Sequence, residues 1–176
     1  MIYNNIDEIF SALATTRRRI YEQVEALSDD EAKARPAPDV WSVAEIIEHL
    51  SISEARMVAL LGKLLGQESA VAANAGAYGS PISIQVITDR ATEKFTAPSF
   101  IQPTGGVPLA ESLAKLRESR ATLIGLRPRV EARDYSHVTY PHPAFGPLNL
   151  YQWLAAIEFH ECKHLDQIQT LTAGGR

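Results

Sequence analysis

Near the C-terminus, Leu150, Trp153, Ile157, His160, His164, Gln167 and Leu171 recur in alternating steps of three and four residues. A stripe of that period is the buried seam of a long helix packed lengthwise against other helices. The segment therefore has to be helical, and it needs helical partners. Yet the middle of the seam carries two imidazoles and an amide where apolar side chains belong. Burying an imidazole without a partner costs on the order of a few kcal/mol, so two at adjacent seam positions demand partners.

Three other segments carry the same periodicity. The first runs from about Ile6 to Leu27, with Ile6, Ile9, Phe10, Leu13, Ile20, Val24 and Leu27 in phase. A capping box at Ser28–Glu31 then opens a short helix that ends before Pro36. A second box, Ser42–Glu45, starts a long helix that reaches about Leu65, with Gly66 as its stop. Its apolar face holds Ile46, Leu50, Met57, Leu60 and Leu64, with His49 beside it. The third long helix spans about Pro108 to Leu126, where Arg120 interrupts a face of leucines and Pro128 should end it. Residues 66–106 are irregular and read as a surface connection or a lid. Within them Ser80-Pro81 predicts a short helix through about Lys94. Residues 128–147 read as loop or short extended pieces, and no convincing strand is visible. The expected fold is all-α: one four-helix bundle domain over residues 1–176, with short extra helices in the connections.

Composition narrows the function classes. A net charge of −4 lacks the basic excess of a nucleic-acid binder. The triplet Arg17-Arg18-Arg19 is the densest basic run and reads as a solvated helix face. No apolar run approaches the roughly 18 residues of a membrane span, and the N-terminus MIYNNIDEIF has no signal-peptide pattern. The single cysteine, Cys162, allows no internal disulfide, which suits a reducing cytoplasm.

The chemistry concentrates in His160-Glu161-Cys162-Lys163-His164. Residues four apart on a helix lie about 40° apart around the axis and roughly 6 Å along it, so both rings can face one metal ion. His49 is the best third donor, and His137 and His142 are less constrained. A metal site and a buried polar network both remain open on this evidence. The pentapeptide matches the zinc-protease motif H-E-x-x-H. However, Gln167 and Thr170 stand where a metzincin needs Gly and His, and no strand is available to bind an extended peptide. Three residues are candidates for catalytic roles. Glu161 could act as a general base, but about 100° from His160 it reads as solvent-facing. Gln167 could hydrogen-bond a ligand or form part of a polar core. Arg120 could bind a substrate carboxylate or snorkel outward. Cys162 points about 200° from His160 and reads as an inert packed thiol.

Three motifs carry a family resemblance. They are Trp41-Ser42-Val43-Ala44-Glu45-Ile46-Ile47-Glu48-His49-Leu50, His142-Pro143-Ala144-Phe145-Gly146-Pro147-Leu148, and His160-x-x-x-His164-x-x-Gln167-Ile168. In this order and spacing the chain resembles the DinB/YfiT-like superfamily of small bacterial metal-binding bundles. The resemblance implies an up-down-down-up topology. It implies a divalent metal, Zn or Ni, held by His49, His160 and His164, with His142 outside the ligand set. It also implies a small-molecule substrate and a metal-dependent S-transferase that conjugates a low-molecular-weight thiol to an electrophile. A metal-dependent hydrolase and a non-catalytic, stress-associated metal-binding protein are the alternatives. A homodimer is a common assembly for such bundles.

Overall fold

Side-chain caps set where the helices begin. The Asn5 carboxamide oxygen accepts from the Glu8 N–H at 2.9 Å and opens α1 (Ile6–Val24). Ser28 and Ser42 each form the expected capping box, opening α2 (Asp29–Lys33) and α3 (Val43–Leu65). The computed structural model describes residues 2–67, 81–90 and 96–173. After α3 come a short helix α4 (Gln85–Thr88), a 3₁₀ turn at Ser99–Ile101, α5 (Leu109–Ala132) and α6 (Leu150–Ala173). Among the described residues no helix is long and apolar enough to cross a membrane.

Two apolar clusters fix the topology. One contains Leu13 of α1, Val58 of α3, Leu123 of α5 and Ile157 of α6. The other contains Ile20, Leu50, Leu116 and Leu165. Passing from the first cluster to the second, residue numbers rise along α1 and α6 and fall along α3 and α5. The bundle is therefore up-down-down-up.

A layer of charge lies between the clusters, with one side chain from each long helix: Arg17, Glu54, Arg120 and Glu161. Their exposures are 4%, 2%, 8% and 1%. Arg17 donates through Nε to Glu161 at 2.7 Å, through Nη1 to the Leu116 carbonyl at 2.8 Å, and through Nη2 to Glu54. Arg120 bridges the same two carboxylates, at 3.0 Å to Glu54 and 2.6 Å to Glu161, and reaches the Leu13 carbonyl at 2.7 Å. Charges buried this deeply persist because they are paired and hydrogen-bonded. Arg17 is thus no part of a solvated face.

Other expectations also need correction. Pro128 does not end α5, which continues to Ala132. Proline removes one helical hydrogen bond. The carbonyl it frees belongs to Ile124, whose side chain is 55% exposed, so solvent can reach it, while four more residues bury Val130 in the core. Strands do occur. β1 (Ile2–Tyr3) pairs antiparallel with β2 (Ile82–Ser83), and β3 (Thr139–His142) pairs with β4 (Gly146–Asn149). Gly146, at φ +76°, supplies the left-handed residue where β4 begins. Of the helix expected from Ser80-Pro81 to Lys94, the described residues 81–90 form a helix only at Gln85–Thr88, because Ile82, Ile84 and Ile87 are drawn into the core as an extended-then-helical segment. Residues 68–80 and 91–95, where part of the suggested lid or surface connection falls, lie outside the described residues.

Candidate metal centre

His49 stands on the second turn of α3, and His160 and His164 stand one turn apart on α6. The antiparallel packing of these helices brings the three rings together, with centroids 4.6–5.0 Å apart. The Nε2 atom of His160 lies 3.0 Å from that of His49 and 3.1 Å from that of His164. One potential ligand atom from each residue falls within 4.8 Å of the others. His49 and His164 are buried, and His160 is half-buried.

The other ring nitrogens decide the tautomers. His49 Nδ1 faces the Ile101 carbonyl at 2.7 Å; a carbonyl only accepts, so Nδ1 carries the hydrogen. His164 Nδ1 faces the Gln167 amide oxygen at 2.8 Å with the same consequence. Both Nε2 atoms are then bare lone pairs. His160 Nε2 has at most one hydrogen to offer and faces two acceptors, so a neutral triangle leaves lone pairs opposed. A cation at its centre satisfies all three. Nitrogens on one metal with bonds of about 2.0–2.1 Å lie roughly 3.0–3.4 Å apart, the spacing of the two pairs that share His160, while the full set spans 4.8 Å and would close a little around an ion. The donor set therefore fits a divalent ion.

Electrostatics keep the donors neutral. Burial pulls the His49 pKa down, partly opposed by the Ile101 carbonyl. Burial, then the neighbouring His49, lowers His164 to about 4. Burial, then His164 and His49, holds His160 well below the ordinary histidine range. At neutral pH all three imidazoles are uncharged, so each has one ring nitrogen with a lone pair to give.

The supports come from elements that spacing arguments did not reach. Trp41 packs against His49 at 5.0 Å and stacks over His164 at 6.5 Å. Glu48, one residue before His49, accepts from Thr104 N–H at 2.9 Å, Thr104 Oγ1 at 2.8 Å and Gly105 N–H at 3.0 Å. It clamps the loop that carries the Ile101 carbonyl. A buried acid beside a histidine was the available signal, but its loop partner is more than fifty residues away.

The remaining candidates sort plainly. Gln167 orients His164, as one of its two readings proposed. Glu161 belongs to the charge layer, so it neither faces solvent nor stands as a free base; burial pushes its carboxyl up while Arg17 and Arg120 oppose that push. Arg120 is held in the same layer, neither snorkelling nor open to a substrate. Cys162 is outside the triangle and donates to Glu158 at 2.9 Å; burial pushes its thiol up to about 11. His137 is exposed. His142 lies in β3, stacked on Phe145 at 4.5 Å and tilted against Trp153 at 4.9 Å, near enough to His160 to disfavour its protonation.

Known proteins place this architecture. A solved crystal structure, TT2238, described as a four-helix bundle protein, superposes with a TM-score of 0.62 at 22% identity, covering 93% of this chain and 96% of that one. The uncharacterized protein YuaE of Bacillus subtilis (strain 168) is 26% identical over 159 residues, 88% of this chain and 91% of its own length. The family profile of the DinB superfamily matches residues 12–168, which takes in α3, α5, most of α1 and α6, and the histidine triangle, and the chain belongs to that superfamily.

Proposed function

We propose that this protein is a metal-dependent S-transferase that joins a low-molecular-weight thiol to a small electrophile, with a divalent ion held by His49, His160 and His164. The observation that carries this reading is the triangle of Nε2 atoms, neutral, mutually unsatisfied and bordered by the half-buried His160. A divalent ion on three neutral imidazoles keeps its full charge and an open position, and so favours a bound thiol in its ionised form.

The acids around the triangle favour a thiol over water as nucleophile. Glu54 and Glu161 are held by Arg17 and Arg120. Glu48 is committed to Thr104 and Gly105, and Glu158 accepts from Tyr3, Thr16 and Cys162. His142 spends its Nδ1 lone pair on the Ala144 N–H at 3.1 Å, so its neutral ring offers a donor and not a base. A nucleophile that needs a poised base finds none in this set. A thiol, with a pKa of about 8.5, needs the least help. In the transfer the thiol proton goes to solvent, sulfur bonds the electrophilic atom, and the leaving group departs with the electron pair of the broken bond. The resemblance to family S-transferases supports the same choice.

Elemental analysis of dialysed protein beside His49→Ala and His160→Ala tests the first half of this reading. About one divalent ion per chain, lost in both variants, is expected. Turnover of thiol and electrophile that needs the metal tests the second half. Absence of metal after loading with Zn or Ni sinks the proposal. Metal-dependent ester or amide cleavage without thiol moves the assignment to a hydrolase, and stoichiometric metal with no turnover moves it to a non-catalytic metal binder.

A further inference from the structure

His49, Ser53 and Arg56 form one stripe on α3. At offsets of four and seven residues, Ser53 and Arg56 stand about 6 and 10.5 Å further along the axis than His49 and within about 40° of it. Ser53 is only 4% exposed, yet its hydroxyl has no hydrogen-bond partner. A buried hydroxyl left without a partner is destabilising, so its persistence here needs a reason. The failure is particular to this position. Ser51 and Ser119, also buried in long helices, bond back to the carbonyls of Glu48 at 2.8 Å and Leu116 at 3.1 Å. Ser112 is also unpartnered, but it sits on α5 at 0% exposure, beside Leu109, Leu113 and Leu116 of the second apolar cluster.

Arg56 is exposed, and among the described residues no carboxylate pairs with it. Its guanidinium lies 5.0 Å from the centroid of the Phe100 ring, itself 56% exposed. Phe100 precedes Ile101, whose carbonyl fixes His49. Long side chains on a helix lean toward its N-terminus, so Arg56 leans toward His49. In a chain of net charge −4, a cation with no carboxylate partner among the described residues is thus held over an aromatic ring, on the helix stripe that carries His49 and next to the residue whose carbonyl fixes it.

We infer that the open face of this site is a channel selective for ligands with an anionic tail: the head group meets the metal and the Ser53 hydroxyl, and a carboxylate at the far end meets Arg56. The inference rests on the metal triangle proposed above and adds the charge class of the ligand and the residue that reads it.

The test uses the full-length chain loaded with cobalt(II), whose visible bands report ligand exchange, with metal content measured for every variant. The probes are 6-mercaptohexanoate against 6-mercaptohexanol, and suberic monohydroxamate against octanohydroxamate. In wild type the carboxylate member of each pair should bind about three- to tenfold tighter, as befits a charge-assisted contact at a partly solvated site. Arg56→Glu should reverse the preference, and Arg56→Lys should keep part of it. Ser53→Ala should weaken all four probes alike, by about threefold or more. A carboxylate preference among hydroxamates with no response to either thiol would end the thiol reading and leave the channel standing. Equal affinities within both pairs, or a preference untouched by Arg56→Glu, would overturn the channel. Failure of wild type to bind cobalt would overturn both.

Discussion

Arg120→Met is the sharpest perturbation of the charge layer. The side chain donates to the Leu13 carbonyl at 2.7 Å, to Glu54 at 3.0 and 3.3 Å and to Glu161 at 2.6 Å. Methionine keeps most of the stem and removes the charge. Arg17 is then left with two carboxylates, a net charge of −1 at a site where none of the remaining members exceeds 4% exposure. Removing one partner from a buried ion network costs about 3–5 kcal/mol, chiefly because a charge stays buried without compensation. For a chain of this size that is a fall of roughly 6–20 °C in Tm. Adding Glu54→Gln restores a one-to-one balance. The double variant should therefore be more stable than the sum of the two single losses predicts, by about 1–3 kcal/mol. Urea unfolding followed by far-UV circular dichroism measures all three variants. A loss below about 1 kcal/mol for Arg120→Met, or additivity within about 0.5 kcal/mol, would show that the layer is solvated and the electrostatic argument wrong.

Gln167→Leu should weaken metal affinity about 10- to 100-fold in a competition titration while leaving the helical spectrum intact, because only the orientation of His164 is lost. Glu48→Ala should cost about 2–4 kcal/mol in urea unfolding and also weaken metal binding, since Thr104 and Gly105 lose their shared acceptor and the Ile101 carbonyl its anchor. Cys162, with its thiol pushed up to about 11, should react with iodoacetamide at pH 8 about 300-fold more slowly than the urea-unfolded chain, whose thiol sits near 8.5. A raised folded pKa contributes stability that is present below the unfolded value and lost as pH rises. The wild type should therefore lose stability between pH 8.5 and 11 relative to Cys162→Ala, and equal slopes would contradict the burial argument.

The long helices were legible because each carries an apolar stripe that holds phase for several turns, and α3 adds a capping box at Ser42. His49, His160 and His164 were legible because a polar residue on such a stripe needs an explanation. The strands were not, since pieces of two and four residues are too short to show alternation and are held by pairing to distant partners. The charge layer was missed although its signal was present. Arg17 is in phase with Leu13 and Ile20, Glu54 with Leu50 and Val58, Arg120 with Leu116 and Leu123, and Glu161 with Ile157 and Leu165. Arg17 and Glu161 were judged against their neighbours in sequence, the arginine triplet and the H-E-x-x-H pattern, while Arg120 was seen to interrupt a leucine face with no partner to explain it. Two positive and two negative residues, one per helix, make sense only when all four helices are considered together.

The layer and the triangle are linked by more than proximity. Glu161 follows His160 directly, and Glu54 comes five residues after His49, so whatever fixes the charges also fixes the imidazoles. An apolar core of leucine and isoleucine tolerates sliding, because one apolar contact replaces another at similar energy. A charge layer does not, since a slip leaves guanidinium and carboxylate facing hydrocarbon. One helical turn is about 5.4 Å, more than the 4.8 Å that spans the candidate ligand atoms, so a slip of α3 against α6 would take His49 out of reach of the other two. Four buried charges add little net stability over a well-packed apolar layer. Their value in this bundle is that only one register neutralises them, and in that register the three histidines converge.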